Sequence, residues 1–178
     1  MTPAPVDPPP YPGALSVKSL LRGQFRIAHA LLDDTIDRLP PAAIHQCPSG
    51  SDVPPGARYA QVVFCEDLSV NGILGAGKPL AFSTWAGRTG LSEIPPLIGT
   101  IDWRAWAHRV RLDRDTVRAY ARAVYASTDA YIAALAEEAL DMARVETPAR
   151  LLSALLLSVS MWRGEISSLL ALGDARRA

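Results

Sequence analysis

A chain of 178 residues with 18 Lys and Arg against 18 Asp and Glu carries no formal net charge. It therefore lacks the long-range positive field that collects phosphates, and no nucleic-acid partner is expected. The length suits one domain burying roughly 70% of the surface its unfolded form exposes, and two cysteines, Cys47 and Cys65, are too few for a disulfide scaffold or a Cys-rich zinc site.

Residues 1–14 carry six prolines but neither the basic start nor the apolar stretch of a signal peptide, so an extended, weakly ordered tail is expected there. Residues 15–39 predict a first helix, because Val17, Leu20, Leu21, Phe25, Ile27, Ala28, Leu31, Leu32 and Ile36 recur at three- and four-residue spacing. Pro40 and Pro41 end it. A loop rich in Pro, Ser and Gly leads to an apolar second helix over 57–74, stopped by Gly75, Gly77 and Pro79. Residues 76–111 keep no sustained period and hold Trp85, Trp103 and Trp106 together with Pro95 and Pro96. A loop of that length inside a compact domain is usually functional or partly structured. Asp113 is a good N-cap for a third helix running to about 139, and Thr147 with Pro148 opens a fourth that runs to 172 and stops at Gly173.

The expected fold class is all-α: an up-and-down four-helix bundle over 15–173 with a long loop between helices two and three, followed by a frayed end at 174–178. The longest apolar run, 151–159, is far short of a span of about 20 residues. No membrane partner and a cytoplasmic location are expected.

Each helical residue advances by about 100°. On helix four this puts Leu151, Leu155, Ser158, Trp162, Glu165 and Leu169 in one stripe, and on helix two it aligns Arg58, Gln61, Cys65, Leu68 and Gly72. If the two stripes face each other, Gln61, Ser158 and Glu165 are polar where an inert core would be free to carry Leu or Ile. Trp162 reads either as plain core or as an indole filling a pocket. Glu165, the single carboxylate on the inward stripe, is a candidate general acid or base if desolvation raises its pKa, and otherwise a structural ion pair. Cys65 is a nucleophile if Arg58 lowers its pKa, and otherwise a small buried hydrophobe. Asp67 is a second-choice acid or base, whereas Glu66 falls off the stripe and reads as a surface or loop-bracing group. Trp85, Trp103 and Trp106 suit a pocket wall or lid near the bundle mouth, or a loop anchored by its own aromatics. His29 and His108 have no convergent partner in sequence and read as structural or solvated.

Tyr59-Ala60-Gln61-Val62-Val63-Phe64-Cys65-Glu66-Asp67, followed by Asn71-Gly72-Ile73-Leu74, resembles the second helix of the DinB-like superfamily, which includes mycothiol- and bacillithiol-dependent transferases and isomerases. Ser158-Val159-Ser160-Met161-Trp162-Arg163-Gly164-Glu165-Ile166 is similar to that superfamily's last helix, where a His-x3-His pair precedes a Gly-Glu-Ile or Gly-Gln-Ile run. The resemblance extends over about 15–173, and the 85–90 loop and the 120–135 helix look like an actinobacterial branch. It implies a bundle holding one divalent ion through one histidine on helix two and two on helix four, often with a low-molecular-weight thiol as co-substrate.

Gln61, Ser158 and Trp162 stand at those three positions here. An indole N–H only donates and a serine hydroxyl is a poor ligand for zinc or nickel, so no metal and no cofactor are expected. The chain is therefore expected to be a metal-independent enzyme of cyclase, isomerase or transferase type acting on a small, largely apolar molecule. Its catalytic candidates are Glu165, Gln61, Asp67 and Cys65, and Ser158, Trp162, Trp85, Trp103, Trp106 and Arg58 would bind the substrate. A second reading is a non-catalytic bundle that binds a small molecule or forms a homodimer. A third keeps the family's metal- and thiol-dependent activity, with the ion relocated to Glu165, Cys65 or Asp67.

Overall fold

The computed structural model describes residues 16–48, 50–96, 103–141 and 147–175, with side chains of the last helix described to 168. The tail expected over 1–14, residues 176–178 and the side chain of Leu169 lie outside the described residues. Among the described residues five α-helices are formed: α1 (Val17–Asp37), α2 (Pro55–Asp67), α3 (Trp103–Arg109), α4 (Arg114–Ala134) and α5 (Pro148–Ala175). Among the described residues the one piece of β pairing is an isolated bridge between Leu91 and Leu112. The protein is an all-α helical bundle in which α1, α2, α4 and α5 are the four long members.

Local chemistry starts each helix. Ser16 caps α1 by accepting the Ser19 N–H at 3.1 Å, and Asp113 caps α4 by accepting the Thr116 N–H at 2.9 Å. α2 opens two residues earlier than the sequence suggests, because Pro55 occupies the first turn, where its missing N–H costs nothing. Its end departs from α geometry: Leu68–Leu74 continues as a π-helical stretch, with the Gly75 N–H reaching back five residues to the Val70 carbonyl at 2.7 Å. α5 runs through Gly173 instead of stopping there, as a glycine costs a helix about 1 kcal/mol without forbidding it. α3 lies within the segment read from sequence as an aperiodic loop; seven residues are too few to establish a period.

The helix senses follow from cross-helix partners. Arg22 on α1 pairs with Asp129 on α4, while Asp33 pairs with Arg118, so α1 and α4 are antiparallel. His29 meets Glu66 and Asp33 meets Tyr59, so α1 and α2 are antiparallel as well. Leu21 and Phe25 share a cluster with Leu152 and Leu155, and Thr35 lies 3.5 Å from Ser167, so α1 and α5 are parallel. The order of senses is therefore up, down, down, up. The long segment between α2 and α4 crosses the bundle and restarts the chain at the same end, which simple alternation does not require. Neighbouring pairs are α1–α5, α5–α2, α2–α4 and α4–α1, and α1 meets α2 across the centre.

The main core joins Leu32 and Ile36 of α1, Tyr59, Val63 and Phe64 of α2, Tyr120 and Val124 of α4, and Val159 and Ile166 of α5. Two polar networks thread it. In one, Asp33 accepts the Tyr59 hydroxyl at 2.8 Å, the Tyr125 hydroxyl at 3.2 Å and the Arg118 guanidinium at 3.0 Å. In the other, Glu66 accepts from Thr128 at 2.6 Å and meets His29 Nε2 at 2.9 Å. Buried polar groups survive in a core only when paired in this way. Both networks tie α1, α2 and α4 together, and among the described residues α5 enters neither.

Candidate functional site

Where α2 faces α5, the centre is occupied by the guanidinium of Arg58, which sits 4.4 Å from the ring centre of Trp103 and 3.9 Å from that of Trp162. Two indole faces therefore hold one cation between them, an arrangement in which ring quadrupoles replace part of the lost hydration. Nη1 donates to Gln61 Oε1 at 3.0 Å and Nη2 to Glu165 Oε1 at 3.4 Å. Nε is buried and has no hydrogen-bond partner among the described residues. Burial draws the guanidinium pKa down from its ordinary value, and the Glu165 carboxylate beside it opposes that shift. The Arg58 side chain is 9% exposed whereas that of Glu165 is 36% exposed, so the pair sits at the edge of the core with its acid partly wet.

Helical spacing brings Arg58, Gln61, Trp162 and Glu165 together as the sequence suggests, and α3 delivers Trp103. Ser158 is a correction. It is exposed, and its hydroxyl donates to the Ala154 carbonyl of its own helix at 2.8 Å. The inward face of α5 runs through Leu152, Leu155, Val159 and Ile166, which turns position 158 out of the interface. The three positions that resemble metal ligands therefore do not surround one point. Gln61 and Trp162 approach each other through Arg58, and Ser158 faces away. Among the described residues no three His, Cys, Asp or Glu side chains converge as a metal site would require.

Asp67 is also corrected from catalytic candidate to structural hub. It is fully buried, and its carboxylate accepts from Asn71 Nδ2 at 2.8 Å, the Leu80 N–H at 2.7 Å, the Ala81 N–H at 2.9 Å and the Tyr120 hydroxyl at 2.7 Å. Every lone pair it could offer a substrate is engaged in tying the crossing segment to α2 and α4. Glu66, expected at the surface, is 1% exposed and holds His29 and Thr128. Sequence reasoning missed this pair because its members are 37 residues apart; a carboxylate inside an otherwise apolar helix was the available signal.

Cys65 lies half-buried on α2, and burial pushes its thiol pKa up to about 11. Arg58 is committed to Gln61 and Glu165 and does not activate it, so the nucleophile reading is corrected. We expect iodoacetamide near neutral pH to label exposed Cys47 before Cys65, and labelling of Cys65 to keep rising until the pH passes about 11. Peptide mass spectrometry checks this, and Cys65 reacting first at neutral pH would contradict it.

The three loop tryptophans do not form one wall. Trp85 packs on Tyr120 with ring centres 5.9 Å apart, and Trp106 is 3% exposed with its indole N–H donated to the Glu93 carbonyl at 3.2 Å. Those two anchor the crossing segment, and Trp103 alone reaches Arg58. Elsewhere, α1 and α5 leave Leu20, Ile27, Leu31, Leu157 and Met161 exposed. Among the described residues no helix is long and apolar enough to cross a membrane.

These features define an all-α helical bundle with an arginine–tryptophan stack between its second and last long helices. No protein-family model matches the sequence, and no curated protein matches it. In structure the chain is similar to a conserved protein from Enterococcus faecalis, known from a crystal structure, with a TM-score of 0.71 and 17% identity over 91% of this chain and 99% of that one. A likeness at that identity concerns the fold alone.

Proposed function

We propose that this protein is a metal-independent small-molecule-binding bundle whose ligand joins a flat apolar body to a carboxylate or similar planar anion, with Arg58 receiving the anion. The observation that carries this reading is the buried Nε of Arg58, which has no partner among the described residues. An arginine offers five N–H donors in a planar fork, and here Gln61 and Glu165 each take one of them. A ligand carboxylate lying along the Nε–Nη2 edge would make two parallel charge-assisted bonds where Glu165 makes one at 3.4 Å. Trp103 and Trp162 would supply the flat apolar walls.

On this reading the chain is a DinB-like bundle in which a guanidinium stands where that superfamily carries its cation, with Gln61 and Trp162 as its supports. The enzymatic form of the proposal, a cyclase, isomerase or transferase, draws on Glu165: it is partly exposed and loosely held, so an incoming anion frees it to move a proton. Glu165→Gln would then retain binding and lose turnover.

Calorimetric titration with benzoate and with benzyl alcohol tests the binding claim. Benzoate is expected to bind saturably and about tenfold or more tighter than the alcohol, the contribution of a charge-assisted bidentate contact. Equal affinities, or no binding of benzoate, would sink the reading.

A further inference from the structure

Between α1 and α4, away from the Arg58 stack, a cavity of about 310 Å³ is lined by Phe25, Arg26, His29, Tyr125, Ala126 and Asp129. That volume is at the small end of ligand sites and suits a single ring. His29 is one of the lining residues and is itself buried. The imidazole lies flat on the Tyr125 ring, centres 3.7 Å apart with planes 9° from parallel, and Phe25 tilts against it at 5.5 Å. Its Nε2 is 2.9 Å from Glu66 Oε2, and the other Glu66 oxygen accepts from Thr128 at 2.6 Å. With Glu66 as the acceptor, a neutral imidazole carries its proton on Nε2 and its lone pair on Nδ1. Nδ1 makes no hydrogen bond among the described residues. A carboxylate that orients the imidazole of a cavity-lining histidine, with the second nitrogen outside any hydrogen bond among the described residues, is an arrangement general bases use.

We propose that this cavity is a second small-molecule site, in which His29 held by Glu66 takes the proton of a phenolic or enolic hydroxyl. The ligand O–H bond breaks, an N–H bond forms at Nδ1, and the electron pair remains on the ligand oxygen. The imidazolium is held by Glu66 on its far side and by the new oxyanion on its near side. No oxidant or metal enters. The charged and titratable groups facing the imidazole are Glu66 from α2, Arg26 from its own helix, and Tyr125 and Asp129 from α4. Asp129 is neutralised by Arg22 at 2.6 Å, which leaves Arg26 as the cation at the rim for the oxyanion. The ring of the ligand would rest against Phe25 and Tyr125.

The test is an absorbance titration of 4-nitrophenol with the full chain, about one pH unit below the phenol's own pKa. Saturating protein is expected to raise the nitrophenolate band at least about fivefold, since roughly a tenth of the free phenol is ionised there. Ala126→Trp places bulk at an exposed residue of the cavity wall, and is expected to abolish the rise without changing the melting temperature. His29→Gln is expected to bind the phenol without ionising it. Arg58→Met should leave the signal intact, which separates this site from the Arg58 stack. An unchanged band, a band surviving Ala126→Trp, or one lost with Arg58→Met would overturn the proposal.

Discussion

An Asp67→Ala protein is expected to melt about 10 °C below the parent. The carboxylate receives two backbone N–H groups, a tyrosine hydroxyl and an asparagine amide in a fully buried position. Alanine would strand those donors, each costing about 1–3 kcal/mol where water cannot replace the partner. Partial relaxation brings the total to about 4 kcal/mol, and a chain of this size loses about 2–4 °C per kcal/mol. Asp67→Asn keeps one acceptor oxygen and turns an N–H against the donors on the other side, so about half that loss is expected. Circular dichroism melts measure both. A catalytic Asp67 would give the opposite pattern, with the asparagine protein folding normally and failing only in turnover.

Arg58→Met is expected to weaken benzoate binding about 100-fold while moving the melting temperature little. The methionine fills the space between Trp103 and Trp162 with apolar atoms and removes a buried charge, an exchange that is often close to neutral for stability. Glu165 is left without its partner, but its 36% exposure lets water take over. The loss of affinity corresponds to about 2.7 kcal/mol. Arg58→Lys keeps the charge and loses the planar fork and the stacking, and about a tenfold loss is expected. Calorimetry on the three proteins checks the order. A lysine variant binding as tightly as the parent would mean that charge alone, without planarity, selects the ligand.

The bundle was legible in the sequence wherever a period extended over several turns. Leu20 to Ile36 and Val117 to Ile132 marked α1 and α4, and Asp113 located the start of α4 to the residue. What lay beyond a period was not legible. The π-helical turn follows Asp67, whose carboxylate gathers donors from 13, 14 and 53 residues away, a set no local pattern displays. The parallel sense of α2 and α4 depends on the path of a segment with no repeating pattern.

The candidate site divides in the same way. Arg58, Gln61, Trp162 and Glu165 meet because helical arithmetic places them on facing stripes. Ser158 was misplaced because that arithmetic fixes an angle only to within half a stripe. The wholly apolar series Leu152, Leu155, Val159 and Ile166 marks the true inward face. His29 with Glu66 could be found only in three dimensions, although a charged residue between Phe64 and Val70 already demanded a partner.

The division of the bundle into three helices joined by polar networks and a fourth held outside them gives Arg58 a role larger than its size. It is a charged contact between α2 and α5 beside the apolar core they share, so on the proposed reading a molecule that takes over its donors also changes how those two helices meet. If the stack takes the proposed ligand, its occupancy and the packing of α5 are linked, each favouring or opposing the other by the same free energy. The packing of α5 around Trp162 and Glu165 would then be the gauge on which a filled or empty stack is read.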